Sequence, residues 1–317
     1  MRSFPRMFAI VLLIAAPIAA RPRPQQPGPE VSWAYPVPDK MQPASKGEEA
    51  PVRVPGSTKT YTPAQINDLH NPPDWFPEQH PPAPAVITRG SGAALACGSC
   101  HLMSGFGHPQ SANLTGLTVA YFVEQMADFK SGARKGAGMP GIAAAISDED
   151  AKKAAEWFAS LKVKPWTRVV ETDTVPKSFV DADFMRIPLP GGGTEPLGNR
   201  IIELPENPAL ATSRDPNSGF IAYVPKGSIA KGKDLVENGI GGLGVGCTGC
   251  HGTSLEGMGD APALAGITPL YFVRQIVDIQ NGTRAGNKVK TMKVFVNKAT
   301  VDEIIAMAAY AASLPPK

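Results

Sequence analysis

Apolar residues recur every three or four positions in two stretches that lie far apart in the chain. Phe122, Met126 and Phe129 mark one stripe, Phe272, Ile276 and Ile279 the other, and each predicts an amphipathic helix. Thr118 and Thr268 precede the stripes as N-cap candidates, with Pro269 at the first helical position, where its missing N–H costs nothing. Gly132 and Gly282 stand where these helices should stop. A closing helix should open at Ser147 in SDED and at Thr300 in TVDE, both of capping-box form, and run to Leu161 and Leu314. Between the helical regions, TRVVETDTV, NRIIELP and GFIAYVP are short β-leaning runs, and GGGTEPLGN is turn material. Residues 165–227 are therefore expected to form a small, mostly irregular connector with a hairpin.

The two helical regions are copies of one another. A shift of 150 residues aligns LTVAYFVEQMADFKSGAR (117–134) with ITPLYFVRQIVDIQNGTR (267–284), and eight of the 18 positions are identical. One unit of roughly 90 residues thus occurs twice. The copies differ at their starts, SIAKGKDLVENG in the second against the proline-broken HPPAPAVITRG in the first.

Composition explains the remainder. Sixteen of the 33 prolines fall between Arg21 and Val86, which rules out a continuous helix or a central strand there and predicts an extended arm. Ahead of it, Arg2 and Arg6 precede the apolar run from Met7 to about Ala20, which ends in small residues. That is the layout of a cleavable export signal, too short for the roughly 20 residues that span a bilayer. Removing those two arginines takes the formal charge from +3 to +1. No basic block interleaved with aromatics is present, so nucleic-acid binding is unsupported.

All four cysteines fall in two motifs at the same 150-residue offset. Cys97, Cys100 and His101 lie in CGSCH, and Cys247, Cys250 and His251 in CTGCH. On a helical turn, cysteines at i and i+3 share a face with a histidine at i+4. Two such thiols can add to the two vinyl groups of a porphyrin while the histidine reaches its iron, so the motif reads as c-type haem attachment. A shared zinc site is disfavoured by the 147-position separation of Cys100 and Cys247. Redox dithiols would come with a βαβ context that is absent, and disulfides give no reason for the histidines.

Each iron then takes a sixth ligand, and methionine is the usual one in electron-transfer haems. Met139 in GAGMPG and Met292 in VKTMKV each lie 22 residues before the leucine that closes their unit, in a segment expected to be a loop crossing the haem's far side. Met258 competes with Met292 in the second unit. Met126 and Met307 read as core residues, and His108 as a surface-loop histidine.

The pattern CTGCHGTSLEGMGDAPALAG, then YFVRQIVDIQNGTR, Met292 and a closing helix ending in AAYAASLP resembles the tandem dihaem class I cytochromes c of the c4 and c553 type. The resemblance covers both repeats, somewhat more than half the chain. It implies a mainly α fold: two class I cytochrome c domains at 61–164 and 228–317, joined by the connector, after a signal (1–20) and a Pro-rich arm (21–60). It also implies two covalently attached haems c, with axial pairs His101/Met139 and His251/Met292.

Matched residue by residue, Pro262 corresponds to the proline whose carbonyl orients the axial histidine. Tyr121, Tyr271, Arg134 and Arg284 correspond to positions near the haem edge or propionates. The first copy departs from the pattern at Leu102, where glycine should follow the histidine, and at Ala112, where the orienting proline should stand. Its haem packing is correspondingly less defined, and the two haems should differ in potential. Trp75 and Phe76 either shield that haem or anchor the arm.

The expected function is a periplasmic carrier, not an enzyme, passing electrons between a redox donor and acceptor. The alternatives are a cytochrome subunit of a dehydrogenase or reductase complex, peripherally associated with the membrane, and a dihaem enzyme of the peroxidase kind.

Overall fold

The computed structural model describes residues 29–40, 50–242 and 244–317. The expected export signal and part of the arm lie outside the described residues.

The arm contains a 3-10 turn at Pro29–Ala34, and just beyond the arm lies a four-residue helix α1 (Pro63–Ile66), on which Thr62 and Gln65 close a capping box. Val31 and Ala34 are buried against the second unit. Trp75 and Phe76 are buried with Val54 and Ile66 in a cluster of their own, and the Trp75 indole donates to the carbonyl of Ser213 (2.8 Å). These aromatics anchor the arm.

The first unit holds α2 (Ala85–Thr88), α3 (Cys97–His101), α4 (Val119–Ser131), α5 (Met139–Ala145) and α6 (Asp148–Ala159). Pro81, Pro82 and Pro84 confine α2 to a single turn, and Ile87 from that turn joins Phe122, Met126, Trp157 and Phe158 in the core.

The connector follows with β1 (Thr167–Glu171), β2 (Thr174–Pro176), β3 (Ser178–Val180), β4 (Arg186–Pro188), β5 (Thr194–Pro196), β6 (Ile202–Pro205), α7 (Pro208–Thr212) and β7 (Phe220–Val224). It is more regular than its sequence implies. A β3–β4 hairpin nests inside a β2–β5 pair, and β7 pairs parallel to β1 and antiparallel to β6. The parallel pairing sets the start of the connector beside its end, a long-range relation that no local pattern announces.

The second unit holds α8 (Ser228–Asn238), α9 (Thr248–His251), α10 (Pro269–Asn281), α11 (Val289–Val296) and α12 (Val301–Ser313). The backbones of α8 and α12 approach closely at Gly232, where a Cβ would stand 1.9 Å from the Ala306 carbonyl oxygen. Leu235, Val236, Phe272, Ile276, Ile304 and Ile305 fill the core around this crossing.

Some local expectations need correction. Met139 and Met292 lie on short helices, α5 and α11, and not in loops. Thr300 closes its capping box with Glu303, whereas Ser147 caps only one way, because the shorter Asp150 side chain accepts from Ser91 Oγ (2.8 Å) instead. Thr268 makes no side-chain cap; the Leu270 N–H donates to Glu203 of β6 (2.7 Å). Gly132 and Gly282 end α4 and α10 in the left-handed conformation, at φ 79° and 74°. Among the described residues no helix is long and apolar enough to cross a membrane.

Candidate functional site

In the second unit Cys247, Cys250 and His251 line a cavity of about 470 Å³ whose walls are mainly apolar. Leu235, Leu264, Phe272, Ile276 and Met307 contribute to them. The His251 Nδ1–H donates to the Pro262 carbonyl (2.8 Å), which fixes the tautomer and leaves Nε2 as the free lone pair. Burial holds this ring below the ordinary histidine range, with the Pro262 carbonyl opposing it, and so favours the neutral ligating form. Met292 of α11 lines the same cavity. Met258 is 58% exposed and does not line it.

The first unit repeats the arrangement with different residues. The His101 Nδ1–H donates to the Ala112 carbonyl at 2.8 Å, eleven residues on, the same span and distance as His251 to Pro262. The proline ring is therefore dispensable for this bond, because a backbone oxygen makes it. His101 is buried, which again lowers its pKa. Cys97 and Met139 pack on one cluster that includes Phe122, Met126 and Phe158, as Cys247 and Met292 share the core of the second unit.

Leu102 adopts φ 61° where Gly252 has φ 85°. Its side chain is compensated by packing with Phe106, Trp166, Met185 and Phe220, so this departure is where the connector grips the first unit. His108 is not a surface histidine: its ring bonds Ser111 within its own loop, and burial pushes its pKa down to about 3.

The two units meet through a near-symmetric polar cluster. Arg134 donates to Gln125 (2.8 Å), Tyr271 (2.8 Å) and Gln275 (2.7 Å), and Arg284 to Gln275 (3.0 Å), Tyr121 (2.7 Å) and Gln125 (3.1 Å). Reciprocal backbone bonds, Lys135 to Thr283 and Ala285 to Ala133, both 2.7 Å, tie the adjoining loops. Both guanidinium groups are buried among neutral partners, and Arg284 Nε has none. Tyr121, Tyr271, Gln125, Gln275 and Arg284 all line the cavity, so its rim is cationic and can receive carboxylates.

Together these features fit a c-type haem: paired thiols, an oriented neutral imidazole, a thioether on a wall, apolar surroundings and a cationic rim. All four cysteines are free, and burial pushes the Cys97 thiol up to about 12 and that of Cys247 up to about 11. Thiols of that kind are poor redox dithiols. Sequence reasoning missed Glu203 and the Ala112 carbonyl. The only hint of the former was Pro269, which removes a donor from the start of α10 without explaining what caps the next one.

Residues 229–315 match the family model described as cytochrome c. A thiosulfate dehydrogenase electron acceptor from Thiomonas intermedia (strain K12) is 26% identical over 238 residues, spanning 74% of this chain and 85% of that protein. A cytochrome c4 from Pseudomonas aeruginosa is 26% identical over 226 residues, spanning 70% and 85%. A crystal structure of reduced cytochrome c4 from Pseudomonas stutzeri is 21% identical with a TM-score of 0.47, over 69% of this chain and 93% of that one.

Proposed function

We propose that this chain is a class I cytochrome c related to the cytochromes c4, and that it is a periplasmic carrier with one covalently attached haem c in each unit. Cys97 and Cys100 would tether the first and Cys247 and Cys250 the second, with His101/Met139 and His251/Met292 as axial pairs. The haem, when attached, supplies a one-electron ferric/ferrous couple. The chain's own residues orient the histidines, exclude water from the apolar walls and balance carboxylates at the shared rim.

The observation that carries this reading is the duplicated histidine-to-carbonyl bond, eleven residues long and 2.8 Å in both units, which leaves two imidazole Nε2 atoms free to ligate. If His101, Met139, His251 and Met292 all ligate, neither haem would offer a substrate an open coordination position, which favours transfer over catalysis.

Mass measurement of protein expressed with haem-attachment machinery should give two haems per chain. The optical and EPR spectra should show two low-spin centres and the weak near-infrared band of methionine–iron ligation. A high-spin ferric signal would overturn six-coordination.

The donor we propose is a periplasmic dehydrogenase. The observation favouring it is the likeness to a protein described as an electron acceptor of thiosulfate dehydrogenase. Reduction by a purified thiosulfate dehydrogenase with its substrate tests this. Failure of such an enzyme to reduce the chain above the rate without enzyme would remove this donor and leave a free shuttle.

A further inference from the structure

The attachment loop of the first unit is covered, and that of the second is open. Ser99, inside CGSCH, is fully buried; its hydroxyl donates to the Leu69 carbonyl (2.6 Å), and its own carbonyl accepts from the guanidinium of Arg214 in the connector. At the matching place in the second unit Gly249 and Cys250 are exposed. Arg214 is held at φ 58°, just beyond α7, in the position where glycine usually ends a helix. A non-glycine residue there is strained, yet the neighbouring Ser213 carbonyl is pinned by the Trp75 indole (2.8 Å) and the Arg214 N–H donates to Ala211 (2.9 Å).

We propose that Arg214 is a positioning residue that clamps the first C-x-x-C-H loop and raises the reduction potential of the haem attached there. The inference rests on the reading of a haem at Cys97 and Cys100. Ferric haem carries one more positive charge than ferrous, so a fixed cation against the loop favours the reduced state. Among the described residues no carboxylate forms an ion pair with Arg214, while Asp183 acts on the same loop with the opposite sign. The Arg214 guanidinium donates to the Ser99 carbonyl, between the two cysteines that would hold the haem.

The test is a spectroelectrochemical titration of the haem-loaded full chain as wild type, Arg214→Gly, Arg214→Gln and Arg214→Lys. Glycine suits the left-handed backbone, so this variant removes the charge while relieving strain and keeps the test open if Arg214→Gln misfolds. A haem count below two in the wild type would defeat the underlying reading and is scored separately by mass. With two haems present, Arg214→Gly should shift one redox equilibrium threefold to tenfold towards the oxidised form, up to about 59 mV, and leave the other unchanged. Arg214→Lys should retain most of the wild-type value. Combination with Met292→His, which perturbs the second unit, assigns the wave. Unchanged potentials in Arg214→Gly, a lysine variant that falls as far as the glycine one, or movement of the second-unit wave would each overturn the proposal.

Discussion

The imidazole of His101 and the backbone oxygen of Ala112 stand 2.8 Å apart, matching His251 and Pro262. Because the acceptor is a main-chain carbonyl, Pro262→Ala should leave the haem spectrum and the potentials unchanged. Its cost should appear only in stability, about 0.4–1 kcal/mol, through the freer unfolded chain. Denaturant midpoints read beside the optical spectrum check this. A lost low-spin signature in Pro262→Ala would mean that the ring itself is required.

Leu102 gives a less intuitive expectation. Its φ of 61° strains any side chain with a Cβ, while its own side chain packs with Trp166 and Phe220. Leu102→Ala removes the packing and keeps the strain, at about 2–5 kcal/mol. Leu102→Gly removes both, and the relief at positive φ is about 1–2 kcal/mol. The glycine variant should therefore be the more stable of the two by about 1 kcal/mol, although it is the smaller residue. Equal denaturation midpoints would show that the strain is not felt.

The residues that could be read in sequence are those whose partners are near in the chain. The duplicated motifs, the stripes of α4 and α10 and the caps at Thr118 and Thr300 all depend on neighbours within a few positions. Leu102 looked like an erosion of the pattern because its partners Trp166 and Phe220 lie 64 and 118 residues on, in the connector. Glu203 was invisible for the same reason: Leu270, whose N–H it accepts, is 67 residues away. GAGMPG is rich in helix breakers and VKTMKV is too short to show a period, so the methionine segments have the local pattern of loops. Packing against α4 and α10 makes them helical nonetheless.

Met292 and Met258 are separated by exposure. Met292 is half-buried on a cavity wall, and Met258 is 58% exposed. Met292→Ala should abolish the near-infrared methionine band of one haem, whereas Met258→Leu should leave both haems spectrally unchanged and stability within about 0.5 kcal/mol. Magnetic circular dichroism of the ferric protein reads both. The opposite pattern would make Met258 the ligand.

Glu203 makes the fold sensitive to pH. Burial is the main cause that lifts its carboxyl from 4.5 to about 7, outweighing the Leu270 N–H and Arg274, which favour the ionised form. Oε2 is buried without a partner, while Arg274 directs its guanidinium to the carbonyls of Ala34 (3.0 Å) and Pro109 (2.5 Å). Between the unfolded value of 4.5 and the folded value of about 7 the native state binds more protons than the unfolded chain, so stability falls as pH rises. The contribution is full below the lower value and is lost as pH passes the upper one, a difference of about 3 kcal/mol. Glu203→Gln keeps an acceptor for Leu270 and cannot ionise. Relative to it, the wild type should lose about 3 kcal/mol between pH 4 and pH 8. The histidines and other carboxylates titrate alike in both proteins, so urea midpoints for the pair isolate Glu203. Curves that stay parallel across that range would mean that the carboxyl already ionises freely in the folded protein.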